Sequence, residues 1–215
     1  MIRISVAAKV LRVIVAILVF IGVAIVLLRI YVLAQPVLPT NAFDAAYSGH
    51  TALTLLHIIP GLVFVILGPL QFIAKIRRKY LTFHRWSGRV YVACGVVVGI
   101  SALILSFVVG FAGLTGAAAI VFFSPLFLIS LGLAVYRIRH REVVAHREWM
   151  IRAFALGLAI TTIRPMVTIL IALTGHPFSE VIGICFWLGF SLHLVIAELW
   201  INITRAHSST KNARQ

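Results

Sequence analysis

TALTLLHIIPGLVFVILGPLQFIAKIRRKYLTFHRWSGR, residues 51–89, decides how the rest of the chain is read. Its first 24 residues, Thr51–Ala74, carry no formal charge. That is more than the roughly 20 helical residues needed to cross hydrocarbon. Four of the next five residues are then basic: Lys75, Arg77, Arg78 and Lys79. A long apolar run closed by a basic cluster is the pattern of a membrane span with its cluster on the cytoplasmic face.

Outward from this stretch the pattern recurs. Further apolar runs cover Val10–Leu33, Gly88–Gly110, Ala117–Tyr136, Met150–Thr174 and Glu180–Ile203. Apolar residues make up 62% of the 215, and only 11% are charged, against roughly 25% in a soluble domain. So few charges could not cover a soluble surface, so the solvent is the bilayer. The expected fold class is an all-α membrane protein, a bundle of six transmembrane helices. Residues 1–9 read as a short cytoplasmic amino terminus, 10–34 as the first transmembrane helix, 50–204 as a five-helix core and 205–215 as a mobile cytoplasmic tail. The first run is too long for a signal-peptide core, holds Arg29 and lacks a clear cleavage site, so it reads as a retained helix. The short turn Phe111–Gly116 makes the third and fourth helices a hairpin.

Of the 19 basic residues, 17 fall on one side once the six runs alternate: three at the amino terminus, six in 75–89, five in 137–152 and three in the tail. The other side has none in its loops and holds Asp44 and Glu180. This bias places both termini in the cytoplasm. It also explains the net charge of +14. Nucleic acid is not indicated, because the basic clusters lack interleaved stacking aromatics. Cys94 and Cys185 lie inside apolar runs in opposite leaflets and read as small buried hydrophobes. No C-x-x-C-H, HEXXH, Walker, GxSxG or C-x-x-C pattern occurs, which removes covalent haem, hydrolase and nucleotide readings.

Ionisable groups at membrane depth are costly and mark function by default. Here they are His57, Arg164, His193 and Glu198, with His84, His146 and Glu148 at the cytoplasmic boundary. On the second helix His57, Gly61, Phe64, Gly68 and Gln71 share one face. On the third, His84, Gly88, Tyr91 and Gly95 do the same, while Arg85 and Arg89 point aside and would snorkel to headgroups. A bare glycine face admits either a neighbouring helix or a flat cofactor. His146 and Arg164 stand 18 residues apart, five turns, and so share a face. Arg164 keeps its proton at any depth and needs an anion or several carbonyls. Pro165, next to it, frees a backbone carbonyl. Glu198 lies too near the cytoplasmic end to meet Arg164, so a ligand carboxylate or a cofactor propionate is the better partner.

Three readings follow. Histidines in pairs at two depths, His84 with His146 and His57 with His193, would hold haem b between helices for electron transfer with a redox partner. Gly61, Gly88, Tyr91 and Arg164 would then line the cofactor. Alternatively His57, Arg164, His193 and Glu198 would hold an ion or small solute in a carrier, proton-coupled or not. In the third reading the motifs only tie loops together.

The segments His57 with Gly61, Gly68-Pro69-Leu70-Gln71-Phe72, His84-Arg85-Trp86-Ser87-Gly88-Arg89-Val90-Tyr91, Ala145-His146-Arg147-Glu148-Trp149-Met150-Ile151-Arg152, Arg164 and Ala197-Glu198 resemble a prokaryotic membrane family catalogued as domain of unknown function 2306 (DUF2306). The resemblance runs from about Gly49 to Trp200. It implies the cytoplasmic (inner) membrane of a prokaryote and that His57, His84, His146, Arg164 and Glu198 matter, without naming an activity. Where the family pattern implies asparagine in the last helix, this chain has His193, so a haem at His57 would need another axial ligand. A looser similarity links histidine-bearing helices near glycines to cytochrome b561-like bundles.

Overall fold

The computed structural model of the chain describes residues 2–35, 48–110 and 112–212. Among them the structure is helical with no strand. Helix α1 covers Ile2–Ala34, α2 Thr51–Phe72, α3 Ala74–Lys79, α4 Leu81–Val108, α5 Gly113–Arg139, α6 Val143–Leu158, α7 Ile160–Thr174 and α8 Phe178–Asn212. Six spans are long and apolar enough to cross a membrane, with α6 and α7 together forming the fifth. Large apolar side chains such as Phe20, Phe107 and Leu188 face outward along these spans, as lipid-facing helices require. Asp44 lies outside the described residues.

Several helices run past the apolar segments from which they were inferred. α4 starts at Leu81 and α6 at Val143 rather than at Gly88 and Met150, and α8 continues to Asn212 beyond Ile203. The backbone satisfies its own hydrogen bonds in either solvent, so helix ends need not coincide with the hydrocarbon boundary. The basic cluster 75–79, read as loop, forms the short helix α3.

The fifth span tightens in its middle. The Ala159 N–H donates to Leu156 O at 3.2 Å and the Thr162 N–H to Ala159 O at 3.0 Å, both 3₁₀-type spacings. Pro165 has no N–H to give the Thr161 carbonyl four residues earlier. The Thr161 hydroxyl meanwhile donates to Leu158 O at 2.7 Å. α7 ends at Gly175, whose φ of 71° is the left-handed cap conformation that glycine adopts without cost.

Lipid gives helices no hydrophobic drive to associate, so they depend on close packing at small residues. A Cβ on Gly68 would stand 2.2 Å from the Phe154 ring, and one on Gly95 2.7 Å from Leu131. Gly183 of α8 meets the backbone of α5 itself, at Gly116 N and Thr115 C. Phe64, Tyr91, Leu131, Ile163 and Ile182 form the fully buried centre. α1 is different: Gly22 is its one buried residue among the described side chains. At Gly22 it crosses Thr161 of α7 and Val65 of α2.

Candidate functional site

The six spans line a partly open chamber of about 470 Å³, within the range of small-molecule sites. Its wall is apolar for the most part: Val26, Val65, Leu105, Ile120, Phe127 and Phe190 among others. Into it come His57 and Gly61 from α2, Arg29 from α1 and Arg164 from α7, with Thr54, Ser106, Ser124 and Thr161 adding hydroxyls. These elements meet here for identifiable reasons. Gly157 lets α6 press onto Phe64, and Gly99 lets α4 press onto Phe127 and Leu128. Gly61 has only Val98 Cγ2 within 4 Å, at 3.8 Å, so its missing side chain leaves open room in the chamber. Of the glycines on the α2 face, Gly61 borders space, while Gly68 is covered by Phe154.

His57 is oriented by Ser101 of α4, whose Oγ lies 2.9 Å from Nδ1. That hydroxyl donates its single proton back to Val97 O at 2.6 Å. With that proton committed, the hydroxyl is an acceptor for His57 Nδ1–H. Arg164 also lines a second recess, a groove of about 390 Å³ between α1 and α7.

The other sequence-selected residues lie elsewhere. His193 is buried and its Nε2 sits 2.9 Å from Thr162 Oγ1, bracing α8 against the tightened turn of the fifth span. It is not among the residues lining the chamber. His146 donates Nδ1–H to Ala134 O at 2.8 Å, the type of bond that fixes a histidine tautomer. His84 stands close enough to His146 and Arg77 to feel their charge. The glycine face beside His84 is filled. A Cβ on Gly88 would meet Gln71 Oε1 at 3.2 Å, and that glutamine donates to Ser87 Oγ at 2.9 Å. Tyr91 stacks on Phe64 with centroids 4.1 Å apart, and its buried hydroxyl makes no hydrogen bond among the described residues. Arg85 and Arg89 are exposed, with Arg89 lying 4.8 Å over the Trp86 ring. His146 and Arg164, expected on one face, address different neighbours: α5 in one case, the chamber in the other. The tightening at Ala159 interrupts the uniform helical register that the shared face assumed.

Sequence reasoning missed an ionic seam between α6 and α8. Arg152 grips Glu198 with Nε–Oε1 at 2.5 Å and Nη2–Oε2 at 3.0 Å. Arg205 grips Glu148 at 3.1 and 2.6 Å. Arg152 also lies 4.5 Å over the Trp149 ring. Forked Arg–carboxylate pairs fix the register of two antiparallel helices. Equal depth of Arg152 and Glu198 was the available signal. Exchanging the partners, Arg152→Glu with Glu198→Arg, should recover stability that each single reversal loses. The expected single-variant loss is about 2–4 °C in melting temperature for a pair worth about 1 kcal/mol. A double variant no more stable than the singles would show that the seam is incidental.

Residues 54–201, more than half of the chain, match the family described as predicted membrane protein (DUF2306). The chain belongs to the DUF2306 family. The matched region of this DUF2306 protein contains His57, Gly61, Arg164 and both acids of the α6–α8 seam, whereas α1, with Arg29, precedes it. No curated protein and no solved structure matches the chain.

Proposed function

We propose that this membrane protein binds a small, largely apolar anion in the six-helix chamber and acts as its carrier. The observation that carries the reading is the chamber itself: a mostly apolar wall to which Arg29, Arg164 and His57 all contribute. Cations at membrane depth are expensive and mark the path of a substrate. A forked guanidinium recognises carboxylate or phosphate, and the apolar wall favours a hydrocarbon body. His57 adds an acceptor, or a donor once protonated, which suits a proton-linked carrier. Equilibrium binding in neutral-lipid nanodiscs, with octanoate against octanol, tests this. The expected result is saturable octanoate binding that octanol displaces only at much higher concentration. Failure of octanoate to saturate would remove the reading.

A haem b in the same chamber is the second reading, favoured by the imidazole of His57 beside the open room at Gly61. Arg29 and Arg164 would take the propionates, and His84 and His146 remain the candidate pair at the other end. The two readings separate by colour. A reduced-minus-oxidised spectrum of low-spin haem, lost in His57→Ala or in His84→Ala and His146→Ala, would replace the carrier; the carrier requires a colourless protein that binds octanoate.

The proposed location is the cytoplasmic membrane with both termini inside, supported by the 17 basic residues gathered on one side. In a background lacking Cys94 and Cys185, an impermeant thiol reagent applied to intact cells should label His176→Cys and spare Glu142→Cys. The opposite labelling would invert the topology.

A further inference from the structure

We propose that the natural occupant is an amphiphile dissolved in the bilayer, its anionic head drawn to Arg164, and that it enters sideways between α1 and α7. This rests on the chamber reading and specifies its substrate class and its door.

Three observations converge on it. First, the groove between α1 and α7 is lined by Ile21, Ile25, Arg164, Pro165, Val167 and Ile171. Arg164 and Ile25 line the chamber as well, so the two spaces meet at these side chains. A cation shared with the chamber, in a groove whose other lining residues are apolar except Thr168, matches an anionic head followed by a hydrocarbon tail. The tail never leaves an apolar medium, and the head exchanges the interface for a guanidinium. Second, α1 forms one wall of the chamber but buries only Gly22 among its described side chains. It is therefore the wall with the least packing to lose on moving, as expected of an element that opens. Third, α1 approaches α7 most closely at a small residue, where a Cβ on Gly22 would stand 2.7 Å from Thr161 Cγ2. Such a small-residue crossing permits sliding and rocking without large side chains to disengage.

The same crossing supplies a lock. The Gly22 Cβ position lies 3.9 Å from Thr161 Cβ, inside the span of about 3.5–4.5 Å that a disulfide needs. Replacing Thr161 by cysteine also removes the Cγ2 that would crowd the new side chain. The test uses full-length protein lacking Cys94 and Cys185, with Gly22→Cys and Thr161→Cys, in neutral phosphatidylcholine nanodiscs. Oleate is the bilayer-resident probe and octanoate the more water-soluble one. Protein lacking Cys94 and Cys185 but keeping Gly22 and Thr161 is expected to bind both, and the crosslinkable variant is compared only with its own reduced state. Oxidation is expected to slow oleate entry about tenfold or more, reversed by reductant. Thr168→Trp gives an independent arm, because Thr168 lines the groove but not the chamber. It should weaken oleate about tenfold or more, the scale of overfilling a packed site, and leave octanoate unchanged. If octanoate and oleate bind but neither the lock nor Thr168→Trp affects oleate, lateral entry is wrong and the chamber reading stands. If octanoate binds and oleate does not, the occupant is a water-borne anion and the amphiphile assignment is overturned. If the folded protein with Gly22 and Thr161 intact binds neither probe, the chamber reading itself fails.

Discussion

Arg164→Leu should lower octanoate affinity by about 100-fold, the equivalent of the ~3 kcal/mol at the upper end for a charge-assisted hydrogen bond. Leucine suits lipid better than arginine, so membrane insertion should persist. The neutral comparator separates charge from shape. Octanol meets the same apolar wall, and its weaker binding should change by less than about threefold, because it has no anion for the guanidinium to lose. Arg164→Lys should fall between, since an ammonium keeps the charge without the fork. Equilibrium binding in nanodiscs measures all three. Full octanoate affinity in the leucine variant would mean that Arg164 serves packing or anchoring only.

The largest structural effect is expected from Gly183→Val. A Cβ there would stand 2.8 Å from Gly116 N and 2.9 Å from Thr115 Cβ. Backbone cannot rotate away as a side chain can, so α5 and α8 must separate. Overpacking of this kind costs about 3 kcal/mol or more. The separation would also pull Trp187 Nε1 from Thr115 O, now 3.2 Å away. Gly132→Val is the matched control, because nothing lies within 4 Å of its Cβ position. Thermal unfolding in detergent should show a large loss for the first and little change for the second. Equal behaviour of the two would show that the α5–α8 contact does not govern stability.

The spans were legible because length and charge alone decide them: 24 residues without a charge followed by Lys75, Arg77, Arg78 and Lys79 admit one reading. Membrane depth was legible for the same reason, and it rightly kept Glu198 away from Arg164. What stayed hidden was rotation about each helix axis and the identity of neighbours. The glycine face of α2 shows why. Gly61 and Gly68 share a stripe, yet one faces open space and the other the Phe154 ring. Only the placement of α6 distinguishes them. Arg29 entered the reading as a charge inside a helix, and its convergence with His57 and Arg164 depends on how α1 leans on α7. The Arg152–Glu198 and Arg205–Glu148 grips likewise required α6 and α8 to be adjacent. That His84 and His146 stand at the same end of the bundle was accessible from depth. That Gln71 fills the space at Gly88 was not.

Gly61→Phe tests the chamber most directly, because it alters volume without touching a charged or hydrogen-bonded group. The glycine lines the chamber and has Val98 Cγ2 as its nearest neighbour, at 3.8 Å, so a phenyl ring can extend into the cavity without forcing helices apart. Octanoate binding to this variant in nanodiscs, alongside its melting temperature, is the decisive measurement. The chamber account predicts an unchanged melting temperature and lost binding; wild-type binding in a stably folded Gly61→Phe protein would contradict it.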